Sequence, residues 1–241
     1  MAYSNLLDRT RPIPTTQTYA DVQPLLKWVY VWMFVGLLTT ALVAFITVNT
    51  PSLLELRTQP LIVFGSIFLQ LGLVIGLSWG IQRVSPGLAA GLYMIYAATM
   101  GFSLSLIFLF FDIGEIAIAF GTTSILFGIM SVVGFTTDVD LTRFRNLFFF
   151  GLIGLIVASL VNVLLAGGAL TFIISIVGVI LFMGLTAYDT QNIKRMAASP
   201  EIQGDGTMVA RLSIFGALML YLDFINIFLF LLQLMGGGGN E

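Results

Sequence analysis

Seven stretches of this chain are long and apolar enough to cross a bilayer, which takes roughly 20 residues of helix. They run at 26–48, 61–81, 88–111, 116–135, 147–165, 170–188 and 210–235. Inside a membrane every backbone N–H and C=O must be satisfied within the structure, so only helices and closed barrels qualify. These stretches lack the alternation of a barrel strand, so each reads as a helix. The sixth continues in helical pattern as far as Met196. Charged residues make up only 9% of the chain, against about 25% in soluble domains. The fold class that follows is all-α: a polytopic membrane protein, one bundle of seven transmembrane helices over 26–235. Residues 1–25 are polar with three prolines and read as an N-terminal tail rather than a signal peptide. The glycine-rich 236–241 reads as a flexible C-terminal tail.

Punctuation and anchors agree with this division. Trp28, Tyr30 and Trp32 open the first segment as interfacial aromatics. Gly167 and Gly168 fall between the fifth and sixth segments as a tight turn. Gly72, Gly76 and Gly80 form a small-xxx-small ladder on the second, which predicts close approach by another helix. Orientation follows from counting cations. With the N-terminus inside, the cytoplasmic side holds Arg9, Arg11, Lys27, Arg83, Arg143, Arg145, Lys194, Arg195 and Arg211, and the outer side only Arg57. Nine against one, of ten Lys+Arg in all, predicts N-in and C-out. Asp138, Asp140, Arg143 and Arg145 then read as a solvated cytoplasmic loop.

Several function classes drop out. The net charge is −2 and no basic patch exists to hold phosphates, so nucleic acid is not an expected partner. The chain has no cysteine and no histidine. Thiol nucleophiles, thiolate metal sites and the usual general base are therefore missing. An intramembrane aspartyl protease would use two acids, but its GxGD and PALxYL patterns do not occur here. The expectation is not an enzyme, and no cofactor.

What remains is a small set of polar residues at membrane depth. Asp223 lies near the middle of the last segment, about 12 residues in from Arg211. An acid at that depth is costly and is by default a functional candidate. Asp189 lies near the end of the sixth segment. At about 1.5 Å per residue the two differ in depth by roughly 7 Å in straight helices, a gap that tilt can close. Two carboxyls that meet in a low-dielectric site share one proton rather than ionise together. Such a pair would respond to physiological pH with no histidine. Arg83, after the second segment, is a cation that could compensate one charge; a snorkelling anchor is the plainer reading. Asn226 shares a face with Asp223, and Asn162 could face either acid. Gln70 and Gln233 read as interhelical hydrogen-bond formers.

The motifs ALMLYLDFINIFLFLLQLMG, GLTAYDTQNIKR, YAATMGFSLSLIF and SLVNVL resemble the last, sixth, third and fifth helices of the Bax inhibitor-1 (transmembrane Bax inhibitor motif) family. The resemblance covers about residues 20 to 236 and looks nearest to bacterial inner-membrane members, because a lysine-rich C-terminal tail is missing. It implies seven helices with the last one central, and a pH-sensitive calcium leak controlled by two aspartates. Carried onto this chain, those are Asp189 and Asp223, which also line the implied calcium pathway, and the arginine that latches onto the sensor falls on Arg83. The connection at 197–209 is longer than in the best-understood bacterial relative. Expected partners are membrane lipid and calcium ion. A different reading, also implied by the family, is a regulator that binds a membrane protease or stress-signalling protein through the tail at 1–25, without ion flux.

Overall fold

The computed structural model describes residues 19–80, 83–165, 168–199 and 205–236, with side chains from residue 25 onward. Of the expected tails at 1–25 and 236–241, residues 1–18 and 237–241 lie outside the described residues, as do Gly167 and the middle of the 197–209 connection, whereas 19–25 and Gly236 belong to helices. Helix dominates, and no strand occurs among the described residues. In chain order the helices are α1 (Tyr19–Val48), α2 (Pro51–Thr58), α3 (Pro60–Gly80), α4 (Pro86–Leu104), α5 (Ile107–Phe110), α6 (Ile113–Thr136), α7 (Arg145–Leu165), α8 (Gly168–Ala197) and α9 (Gly206–Gly236). A 3-10 turn, Leu141–Phe144, precedes α7. Seven spans are long and apolar enough to cross a membrane, matching the seven sequence segments to within a few residues. The chain is an all-α polytopic membrane protein.

The helix starts follow local chemistry. Pro51, Pro60 and Pro86 open α2, α3 and α4, where a missing N–H costs nothing and φ is already helical. Ser85 caps α4 by accepting from the Leu88 N–H at 3.3 Å. Asp205 caps α9, accepting from the N–H groups of Thr207 at 2.9 Å and Met208 at 3.1 Å, as an N-cap carboxylate should. Two features escape a hydropathy reading. The short α2 follows α1 outside the spans. The third span breaks after Leu104, and α5 resumes at Ile107. At the break the Arg57 Nη2 donates to the Ser103 carbonyl at 3.2 Å.

The described residues form two compact units. One holds Ile113–Met196 and the residues from Leu222 on; the other holds those up to Asp112 and Ala197–Tyr221. In the second unit a Cβ at Gly101 would strike the Thr40 backbone, and one at Gly36 the Tyr93 ring. Thr40 Oγ1 donates to the Ala97 carbonyl at 2.9 Å and is 2.6 Å from the Tyr221 hydroxyl. Tyr93 donates to the Trp32 carbonyl at 3.1 Å. Tyr93 and Tyr96 both meet the Tyr221 ring edge-on, at 6.0 and 5.8 Å between centroids, a favourable geometry for aromatic quadrupoles. Gln70 bridges α3 to α4 through the Thr99 carbonyl at 3.2 Å and Ser103 Oγ at 2.8 Å, the interhelical role expected of it.

The glycine ladder does not behave as expected. Among the described residues, a Cβ on Gly72 or Gly76 would meet nothing within 4 Å, and one on Gly80 only the Val84 side chain. Small residues permit close approach but do not enforce it. The tight helix contacts are made elsewhere, at Gly101, Gly134, Gly151, Gly178 and Gly184.

Candidate functional site: a membrane-embedded aspartate pair

Within the unit that holds both acids, α8 and the second half of α9 run antiparallel in a readable register. A Cβ on Gly178 would fall on the Phe230 ring, and Phe182 lies 6.0 Å from Phe230 between ring centroids. One turn on, Ile174, Phe182 and Leu185 share a core with Ile227 and Leu155 of α7. Positions 178, 182, 185 and 189 form one stripe on α8, and 230, 227 and 223 one stripe on α9. The next step of that register brings Asp189 to Asp223. The two carboxyls lie within electrostatic reach of each other.

Their surroundings differ. Asp223 is 4% exposed, and its Oδ2 is buried with no hydrogen-bond partner among the described residues. Asp189 is partly exposed and accepts a hydrogen bond from the Asn192 side chain, one turn further along α8. Phe224, beside Asp223, meets Phe120 and Phe127 of α6 at 5.3 and 5.6 Å. A Cβ on Gly134 of α6 would strike the Ala187 backbone, so α6 and α8 touch main chain to main chain two residues before Asp189. A carboxyl so enclosed, lacking one partner, carries a free-energy cost unless it is protonated or hydrated.

The other candidate residues have local partners of their own. Asn226 donates to the Leu222 carbonyl of its own helix at 2.8 Å. Asn162 donates to Thr171 Oγ1 at 2.8 Å, near the start of α8, whereas Asp189 is close to its end. That separation of 18 residues is about 27 Å of helix, so Asn162 serves α7–α8 packing and does not face the pair. Gln233 accepts from Ser175 at 3.0 Å. Arg83 is exposed in the turn after α3, where its N–H donates to the Gly80 carbonyl at 2.8 Å; it belongs to the other compact unit. No group of three or more acids gathers among the described residues. Two carboxylates supply too few oxygens by themselves for a calcium ion, which takes about six to eight.

The loop between α6 and α7 is not the freely solvated connection its mixed charges suggest. Arg195 pairs with Asp140 at 2.6 Å, and Asp140 also accepts from the Thr142 N–H at 3.0 Å and its hydroxyl at 2.7 Å. Burial alone would raise the Asp140 carboxyl, but these hydrogen bonds from Thr142 and Arg195 hold it at about 2. Gln191 joins the same loop and was not among the sequence candidates. Its signal was the polar run TQNIKR on a helix that continues past its apolar span.

Comparison with known proteins agrees with the motifs. The family model described as inhibitor of apoptosis-promoting Bax1 matches residues 22–240. The chain is 45% identical over 221 residues to the inner membrane protein YbhL of Escherichia coli K12, covering 91% of this chain and 94% of that one. It is 40% identical over 219 residues to an uncharacterized protein of Deinococcus radiodurans, covering 90% and 92%. A Borreliella burgdorferi protein, also uncharacterized, is 40% identical over 210 residues, covering 87% and 90%.

Proposed function

The chain belongs to the Bax inhibitor-1 family, and from that premise we propose that it is a pH-sensitive, calcium-permeable leak of a bacterial inner membrane, with its N-terminus inside. What supports this reading is the register of α8 on the second half of α9, which turns the stripe carrying Asp189 toward the stripe carrying Asp223, with the two carboxyls within electrostatic reach. With one shared proton the two carboxyls hold the helices together. Loss of that proton places like charges side by side in a low dielectric, which pushes the helices apart. The surrounding pH thus biases a bistable helix pair. The inward placing of the N-terminus rests on the nine-to-one cation count, and the membrane on the resemblance to an inner membrane protein.

The deciding experiment is calcium flux into liposomes containing the purified protein across about pH 5 to 8, a window that brackets a shared-proton pair. Asp189→Asn and Asp223→Asn should each remove the pH-dependent part of the flux. Both variants keeping the wild-type pH profile would sink the aspartate mechanism. No flux from folded wild type would sink the leak itself and turn attention to partner capture.

A further inference from the structure

The end of α8 has two working faces. Asp189 and Asn192 occupy one. Gln191, Lys194 and Arg195 occupy another, at the i, i+3, i+4 spacing that lines up side chains. This second face supplies what the backbone between α6 and α7 lacks. α6 ends at Thr136, so the Phe135 carbonyl is among the last four of the helix, which have no intrahelical donor. Lys194 Nζ donates to it at 2.7 Å and stands 4.9 Å from the centre of the Phe135 ring. A cation of one helix thereby caps the negative end of another. The Gln191 amide works in both directions: Nε2 donates to the Val139 carbonyl at 2.9 Å, and Oε1 accepts from the Leu141 N–H at 2.9 Å. Arg195 completes the set through Asp140, which caps the 3-10 turn. Gln191 is 1% and Lys194 2% exposed.

We propose that this face is a latch: Gln191 and Lys194 are positioning residues that bind the turn at 137–144 to the end of α8, so that the turn must let go when α8 moves in gating. The gating half of the proposal rests on the leak reading above; the mechanical half does not. Two bonds from a single amide fix both the distance and the orientation of the turn. A shift of α8 would break its bonds to the Val139 carbonyl, the Leu141 N–H and the Phe135 carbonyl together, and each lost bond weakens the hold on the turn. Turn and helix end therefore change state as one element. Because α8 also carries Asp189, a movement of that helix reaches the turn directly through Gln191, Lys194 and Arg195.

The test combines hydrogen exchange with flux on the full chain, at one pH so that intrinsic exchange rates are equal. Gln191→Met removes both amide bonds. It should speed exchange over 137–144 by about tenfold or more, given roughly 1 kcal/mol per hydrogen bond. Exchange over 206–236 should stay unchanged, and resting calcium flux should rise several-fold. Gln191→Glu keeps the acceptor for Leu141 and should fall between. Arg195→Gln, at the more exposed edge, should give the same changes in smaller measure, and decides the matter should Gln191→Met fail to fold. Unchanged exchange at 137–144 in the folded variants overturns the latch. Faster exchange with wild-type flux overturns the gating role and leaves the leak standing. No flux from wild type at any pH overturns the leak and the gating role with it.

Discussion

Tyr221 and Asp223 are two residues apart on the same helix, both buried, yet they sit in opposite kinds of polar environment. The Tyr221 hydroxyl has Thr40 as its partner at 2.6 Å, and two further tyrosine rings enclose it edge-on. Asp223 has one carboxyl oxygen with no partner among the described residues and a second acid within electrostatic reach. A satisfied cluster of neutral groups braces helices in one arrangement. A carboxyl left short of partners beside a like group has a second arrangement available whenever a proton comes or goes. The comparison teaches that polarity in a membrane helix does not by itself mark function. What separates the two sites is whether the hydrogen bonding is complete.

Substitutions can break or sharpen that contrast. The largest effect is expected at the brace: Tyr221→Ala opens a cavity among Thr40, Tyr93 and Tyr96, costing about 3 to 5 kcal/mol, read as a lower thermal midpoint in detergent. A wild-type midpoint would mean the cluster does not brace. Next comes Gly134→Ala, which pushes a methyl into the Ala187 backbone beside the pair. A loss of about 1 to 3 kcal/mol is expected, as for other overpacked contacts, together with altered flux, because α8 must shift. Tyr221→Phe removes only the Thr40 bond and should cost about 1 kcal/mol, with the pH profile of flux untouched.

Smaller again is the Asp140–Arg195 pair. Asp140 sits at about 2, below its ordinary value of about 3.9. A depressed carboxyl adds stability that is present above about pH 4 and fades as pH falls through about 2. Asp140→Asn should thus lower stability by about 1 kcal/mol or less at neutral pH, with the difference from wild type closing in strong acid. A difference that widens in acid would contradict this assignment. The last substitution should reverse the sign. Asp223→Leu replaces a partly unsatisfied acid by an apolar group and should leave the thermal midpoint unchanged or raised, while abolishing the pH response. A steep loss of stability there would make Asp223 a structural contact like Tyr221.

The seven spans could be read directly from the chain, because the bilayer demands about 20 apolar residues per crossing and tolerates few charges. Asp223 stood out for the same reason: a lone acid amid LMLYLDFINIF is costly in a membrane and is by default a functional candidate. The motifs around it also indicated the family that the comparisons then established. Tertiary structure decided the rest. That the stripe carrying Asp189 faces the stripe carrying Asp223 follows from the register of Gly178, Phe182 and Leu185 on Phe230 and Ile227, and register is a property of two packed surfaces. The ladder at Gly72 and Gly76 shows the converse, since a spacing suited to close approach met nothing to approach. Gln191 was invisible as a clamp because its partners are backbone atoms some 50 residues away, and a backbone carbonyl has no signature in sequence. The chain by itself determined what must enter the membrane and which acid is costly there. Only packing determined which groups that acid meets, because hydrophobicity acts through area while hydrogen bonds and charge act through distance.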